Sequence, residues 1–406
     1  MEMYKFDLTK EYGVVLEGGG AKGAYQIGVW AAMQECGVKI RGIAGVSVGA
    51  LNGALIAMGD ILRAVEIWEN LTYSKVMDVD DEQMDTLFHG KIRNMNFKEL
   101  VRLWTKFMVD KGFDITPLRT LIDEAVDEEK IRNSPIELVL GTFSMDELKQ
   151  LEITAAQTQE GELKDYLLAS AYFPAFRNEP LHGKKYMDGG VINNLPIDML
   201  IKRGYKDILV VRIFGLGIIK NVKLPDEVTV IEIAPRTDLG NILDFNSENS
   251  RKNMRLGYFD GLRCFRSLKG KMYYINSKLG EEESIFRLVG CHNAVQMALL
   301  EYFGESCDDP NIYTRKLFEK VFPSLAGELK LDKNWTYHEL YLSLLELCAK
   351  NLRIQKYQIY TEEELKDTIQ KRYTIWKRNH SDLPFPPLIE LILKMVTLPQ
   401  IENNFT

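Results

Sequence analysis

Two glycine-lined turns, each set between a short apolar run and a helical pattern, constrain this chain more than any other stretch. Tyr12-Gly13-Val14-Val15-Leu16 reads as a buried strand. It runs into Gly18-Gly19-Gly20-Ala21-Lys22-Gly23 and then into a helical pattern from Ala24 to about Met33. Cys36-Gly37 ends that helix, with Gly37 suited to a left-handed C-cap. A second apolar strand, from about Val38 to Ala44, leads into Gly45-Val46-Ser47-Val48-Gly49 and a small-residue helix starting at Ala50. Strand, tight turn and helix in succession predict a parallel sheet with helices packed on it.

A serine where a strand folds sharply into a helix has the geometry of a nucleophile. Gly45 and Gly49 flank Ser47 because a Cβ at either place would meet neighbouring backbone, and the turn lifts the hydroxyl clear of the sheet edge. The positive end of the following helix dipole favours anionic charge nearby.

The first turn admits other uses. Gly18, Gly20 and Gly23 satisfy the spacing of a dinucleotide fingerprint, which requires an acidic residue about twenty positions on. No Asp or Glu stands between Cys36 and Gly59. A P-loop fails as well, since Lys22 is followed by Gly23 rather than Ser or Thr. What is left is a cluster of backbone N–H groups aimed at an anion, which in serine acyl transfer is the tetrahedral intermediate's oxygen.

The remaining composition is permissive. A net charge of −7 over 406 residues, with no dense basic run, argues against a general nucleic-acid binder. No apolar stretch reaches the roughly eighteen residues of a spanning helix, and the N-terminus lacks a signal-peptide pattern. The five scattered cysteines read as reduced thiols in a cytoplasmic protein and suggest no zinc site. Asp78 to Glu82 reads as a solvated acidic loop, too irregular for an EF-hand.

Further along, Asn96 to Asp110 predicts an amphipathic helix carrying Phe97, Leu100, Val101, Trp104, Phe107 and Met108, read as core in preference to a pocket wall. Thr116-Pro117 opens another helix, with Thr116 as N-cap. Strands are expected at Glu137 to Thr142, Gln150 to Thr154, Ile208 to Ile213 and Val228 to Ile233, with a last short one at Met272 to Ile275. The expectation is a mainly parallel sheet with helices on both faces. Beyond about Glu305 the pattern is helical, at Tyr337 to Leu352, Thr361 to Asn379 (with a Thr361–Glu364 capping box) and Leu388 to Val396. The expected division is therefore 1–304 and 305–406. The basic cluster Lys366, Lys371, Arg372, Lys377 and Arg378 is read as a solvated face in preference to a lipid-binding one.

A serine nucleophile needs a proton acceptor. Among His89, His182, His292, His338 and His380, only His292 falls where a Ser-His-Asp triad would place its base, and it is equally well read as the start of a helix. Asp188 is the stronger candidate. It follows a short strand, and Gly189-Gly190 lets the backbone pass close to a neighbouring loop, although alone the same residues make an ordinary Asx-turn.

Taken together, Gly18-Gly19-Gly20-Ala21-Lys22-Gly23, Gly45-Val46-Ser47-Val48-Gly49 and Asp188-Gly189-Gly190 resemble the signature of the patatin-like phospholipases, in the same order. The resemblance covers roughly Gly13 to Ile275. It implies a three-layer α/β/α hydrolase domain with a C-terminal helical appendage outside it. It implies a Ser-Asp dyad of Ser47 as nucleophile and Asp188 as general base, supported by Gly45, Gly49, Gly189 and Gly190. The oxyanion hole would be backbone N–H groups within Gly18, Gly19, Gly20, Ala21, Lys22 and Gly23, centred on Gly19 to Ala21. No metal or organic cofactor is implied. The expected substrate is a phospholipid or lysophospholipid acyl ester, met by peripheral contact at a membrane, with no nucleic-acid partner. A carboxylesterase or thioesterase for soluble acyl groups, and a non-catalytic lipid-binding module, are the rival readings. The intact Ser47 and Asp188 weigh against the last.

Overall fold

In a computed structural model describing residues 6–87, 113–173, 176–177, 179–305, 312–379 and 385–398, the strands assemble into one mixed sheet. They are β1 (Glu11–Leu16), β2 (Lys39–Val46), β3 (Glu137–Ser144), β4 (Lys149–Thr154), β5 (Tyr186–Asp188), β6 (Asp207–Val211) and β7 (Thr229–Ile233). The order is β4-β3-β2-β1-β6-β7, with β5 also paired to β3. The four central pairings are parallel, while β4 and β5 run antiparallel to β3. The expected stripe from Phe97 to Met108 lies outside the described residues, as do His89, Cys307 and His380.

Alternation along the strands builds the layers. On one face Val15, Ala44 and Val139 form a core with Met199 and Leu200 of the short Ile197–Ile201 helix. On the other, Leu16, Ile43 and Leu138 lie under Gly53 of helix α2 (Val48–Met58). The central strands are buried on both sides and so read as continuous apolar runs. Helix α1 (Ala24–Cys36) ends, as expected, on Gly37 in the left-handed conformation at φ 71°. Helix α3 (Ile61–Glu69) is capped by the Asp60 side chain. At the Thr116–Ala125 helix the expected cap shifts by one residue, to Ile115: Thr116 is the first helical residue, and its N–H donates to Asp114 Oδ1 at 2.7 Å.

The chain divides into two compact units, Met1–Arg266 and Ser267–Thr406. The break falls earlier than the expected 304/305 because Tyr273, Ile275, Leu288, Val295 and Leu299 share a core cluster with Leu345, Leu365, Ile369 and Leu393. The expected last strand is accordingly β8 (Tyr274–Ile275), which pairs with β9 (Ile359–Tyr360) inside the second unit rather than joining the main sheet. That unit is otherwise helical, with Tyr337–Asn351, Glu362–Asn379 and Pro387–Thr397 near the expected bounds. The Thr361–Glu364 capping box forms with reciprocal bonds of 2.8 and 3.2 Å. Among the described residues no helix is long and apolar enough to cross a membrane.

The first unit is closed by a close helix–helix crossing. A Cβ on Gly28 of α1 would stand 1.9 Å from the Met254 carbonyl oxygen of the Ser247–Phe265 helix. One on Gly257 would stand 2.0 Å from the Tyr25 carbonyl oxygen. Gly28→Ala therefore forces the helices apart and should cost about 1–3 kcal/mol, the usual range for an overpacked interior. A thermal melt unchanged from the parent would show that the crossing is not tight.

Candidate active site

Strand β2 ends at Val46 and α2 starts at Val48, which leaves Ser47 to turn the chain. It does so at φ 55° and ψ −128°, a conformation that costs a residue with a Cβ on the order of 1–3 kcal/mol. A Cβ on Gly45 would stand 2.3 Å from the Gly49 carbonyl oxygen, and one on Gly49 the same distance from that of Leu16. The strained serine is also held by its own backbone: its N–H donates to Ser170 Oγ at 2.9 Å. The fully buried Ser170 hydroxyl in turn donates to the Gly141 carbonyl at 2.7 Å.

Asp188 ends β5, opposite Thr142 of β3. Its carboxyl is buried, hydrogen-bonded with the Ser47 side chain, and accepts from the Gly190 N–H at 2.8 Å. Burial pushes the Asp188 pKa up to about 6, against the pull of those two hydrogen bonds. Gly189 is required by contact, since a Cβ there would lie 2.4 Å from the Gly141 carbonyl oxygen. The elbow and the aspartate thus meet over β3.

The glycine-rich turn is narrower in its chemistry than its sequence suggests. The N–H of Gly18 donates to the Asn194 carbonyl, that of Ala21 to the Ile242 carbonyl and that of Lys22 to the Gly19 carbonyl. The Lys22 ammonium donates to the Phe214 carbonyl at 3.0 Å. Gly23 leads into α1. Gly19 and Gly20 remain, and both border the same cavity as Ser47 and Asp188. Gly20 sits at φ +55°, with the Ile242 carbonyl oxygen 2.1 Å from where a Cβ would stand. Of the six residues expected to form the anion cradle, these two have backbone donors left to offer.

That cavity encloses about 600 Å³, and its walls are mostly apolar, among them Leu51, Leu55, Trp68, Ile122, Phe173 and Phe245. The space suits one extended apolar group delivered to the hydroxyl. No histidine lines it among the described residues. His292, the alternative base, belongs to the second compact unit, where its Nδ1 accepts from the Ala294 N–H and caps the Asn293–Tyr302 helix. Among the described residues no group of His, Cys, Asp and Glu side chains is arranged to hold a metal ion.

Two contributors escaped the sequence reading. Ser170 lies at the end of a helix 123 residues from the serine whose N–H it accepts, and its sequence neighbours do not reveal that partner. Asn194, buried, donates through Nδ2 to the Gly18 carbonyl at 3.0 Å and through its N–H to the Ile218 carbonyl, so it ties the aspartate loop to the glycine turn.

A strained serine, a buried carboxylate hydrogen-bonded to it and backbone donors beside an apolar cavity are thus gathered at one edge of a mainly parallel sheet. Residues 14–201 match the family model for patatin-like phospholipases. The patatin-like phospholipase domain-containing protein 7 of Rattus norvegicus is 29% identical over 211 residues, which cover 49% of this chain and 13% of that protein. Neuropathy target esterase sws of Drosophila melanogaster is 28% identical over 212 residues, covering 49% and 12%. The probable lipid hydrolase 463L of invertebrate iridescent virus 6 is 26% identical over 204 residues, covering 49% of this chain and 67% of the viral protein. The chain thus spans only a small part of the two animal relatives.

The raised pKa of Asp188 has a consequence for stability. The folded state holds the Asp188 proton up to about pH 6, whereas a free aspartate releases it near 3.8. Between those values the folded state binds more protons, so this group's contribution falls as pH rises and is least favourable above pH 6. Asp188→Asn keeps an oxygen for the Gly190 N–H and removes the buried charge. It should raise neutral-pH stability by up to about 3 kcal/mol, with the gain shrinking as pH falls toward 4. A variant that melts lower than the parent at neutral pH would contradict this account.

Proposed function

We propose that the chain is a serine acyl hydrolase that cleaves ester-linked fatty acyl chains from phospholipids or lysophospholipids. The observation that carries this reading is the hydrogen-bonded pair of Ser47 and Asp188 at an apolar cavity bordered by Gly19 and Gly20. The names of the relatives, a phospholipase-domain protein, an esterase and a probable lipid hydrolase, point the same way.

The Ser47 oxygen attacks the ester carbonyl carbon while its proton passes to Asp188. The carbonyl oxygen takes the negative charge and is met by the N–H groups of Gly19 and Gly20, which are already oriented by the turn. Collapse of the intermediate breaks the bond to the alcohol oxygen, which takes the proton from Asp188 and leaves. Water then gives its proton to Asp188 and attacks the acyl-serine, releasing the fatty acid and restoring the hydroxyl. A carboxylate near its reference pKa is a weak base. An Asp188 pKa of about 6 moves it toward neutral pH without costing its ionised form there.

A fluorophosphonate probe should label Ser47, and Ser47→Ala should lose both labelling and hydrolysis while keeping its fold. Mass spectrometry of products from a mixed lipid extract should find free fatty acid with the matching lysophospholipid or deacylated glycerophosphodiester. Undiminished hydrolysis by Ser47→Ala would end this reading, and release of acyl groups only from soluble thioesters would move it to another substrate class. The pH profile of kcat/KM should fall below about pH 6 as Asp188 takes up its proton. Asp188→Asn should abolish turnover, whereas His292→Ala should leave most of it.

The oxyanion role is tested separately at Gly20. A side chain there meets the Ile242 carbonyl, so Gly20→Ala should displace the donors and lower turnover by about 10²–10³, the cost of losing one such donor. Normal turnover in a folded Gly20→Ala protein would assign the turn to packing alone.

A further inference from the structure

We propose that residues 214–224 are the surface through which the hydrolase unit seats on a phospholipid bilayer. The inference rests on the lipid-hydrolase reading above and extends it to the partner surface. After β6 the chain presents Phe214, Leu216, Ile218, Ile219 and Leu224 to solvent, each between 43% and 58% exposed. Single exposed apolar residues are common on proteins. Five within eleven positions form a patch of the kind that marks an interaction surface.

The backbone of this segment is fixed to the site on both sides. The Phe214 N–H donates to Glu17 and its carbonyl accepts from Lys22, next to the glycine turn. The Ile218 N–H donates to the Gly190 carbonyl and its carbonyl accepts from the Asn194 N–H, next to the aspartate. Phe214 and Ile218 are thereby held where their side chains are about half-exposed. Phe214 is held further by the Arg212 guanidinium, 5.0 Å from its ring.

Continuity with the cavity selects a lipid surface as the occupant. Leu216, Gly217 and Ile218 line the cavity that holds Ser47, and Leu216 and Ile218 are also half-exposed. One apolar rim therefore joins the outside of the unit to the nucleophile. An acyl chain leaving a bilayer across that rim stays in contact with hydrocarbon throughout. Lys220 and Lys223 lie in the same segment. Lys220 is 3.7 Å from Asp198, and Lys223 has no ion pair among the described residues. Both suit headgroup phosphates. The net charge of −7 argues that charge alone does not draw the protein to an anionic surface, so insertion of the apolar side chains supplies the attraction.

The test uses the full chain and vesicles of phosphatidylcholine with a minority of phosphatidylglycerol. Ile219→Ser combined with Leu224→Ser removes two inserted side chains that do not line the cavity. Vesicle co-sedimentation should weaken by about tenfold or more, with the melting temperature and the turnover of a short, soluble ester unchanged. A separate Ile219→Trp variant should show a blue-shifted emission on adding vesicles, quenched by brominated lipid. Parental vesicle binding by the double variant, or a tryptophan emission insensitive to vesicles, overturns the proposal. Soluble-ester turnover separates the two readings. A protein that turns over the ester while its vesicle binding ignores the segment loses the docking surface and keeps the hydrolase. One that docks through the segment yet never hydrolyses an ester keeps the surface and loses the hydrolase.

Discussion

The carboxylate of Glu17 sits between the ends of β1 and β6 with no exposure to solvent, and the geometry of the glycine turn depends on it. Its Oε2 accepts from Arg212 Nε at 3.0 Å, from the Ile213 N–H at 2.7 Å and from the Phe214 N–H at 3.0 Å. A buried carboxylate needs partners to offset its desolvation, and here all three meet Oε2, while Oε1 has no hydrogen-bond partner among the described residues. The same residue's carbonyl accepts from Gln26 Nε2, which begins a buried relay. Asn52 donates to Gln26 and to the Gly23 carbonyl and accepts from Trp68 Nε1. The glycine turn is therefore gripped from the β6 side by Glu17 and from the helix side by Asn52. Backbone donors that must meet a transient negative charge need such a frame, because reorienting them during the reaction would forfeit most of their worth.

The Ser47–Asp188 pair is held at a cost in stability, and the frame explains how the cost is sustained. Ser47 occupies a left-handed backbone conformation and Asp188 ionises where water is excluded. Neither would persist in a loosely packed loop. Both are fastened to β3, the serine through Ser170 and the Gly141 carbonyl, the aspartate through the register that sets Asp188 beside Thr142. Ser47 and Asp188 are separated by 141 positions in sequence but referenced to neighbouring residues of one strand.

Much of this could be read from the sequence, and the parts that could not share a cause. The elbow, the glycine turn and the Gly37 cap are local: each follows from glycine and serine placed between apolar runs. The parallel core follows from strands without polar alternation. Ser170, Asn194 and Glu17 were not legible as positioning residues, because a polar side chain declares its partner only after the fold brings distant backbone to it. Ala21 and Lys22 were assigned to the anion cradle because they sit in the motif, but their N–H groups are consumed by the Ile242 and Gly19 carbonyls. The unit boundary was misplaced for a related reason. Loss of strand signal after Glu305 marks a change in local pattern, whereas the boundary follows the shared core of Tyr273, Ile275 and the later helices.

The crossing of Gly28 over Met254 and of Gly257 over Tyr25 joins the first long helix of the first unit to its last. The family-matched span stops at residue 201, before β6, β7 and the Ser247–Phe265 helix, while the compact unit runs to Arg266. Excised at the family boundary, the domain would lose the neighbour of its central strand and the partner of α1, leaving Val14 to Leu16 as a bare sheet edge. The reach of the recognisable signature and the length of chain that can fold by itself are thus different quantities here. A fragment, or a gene fusion that borrows this unit, has to respect the second.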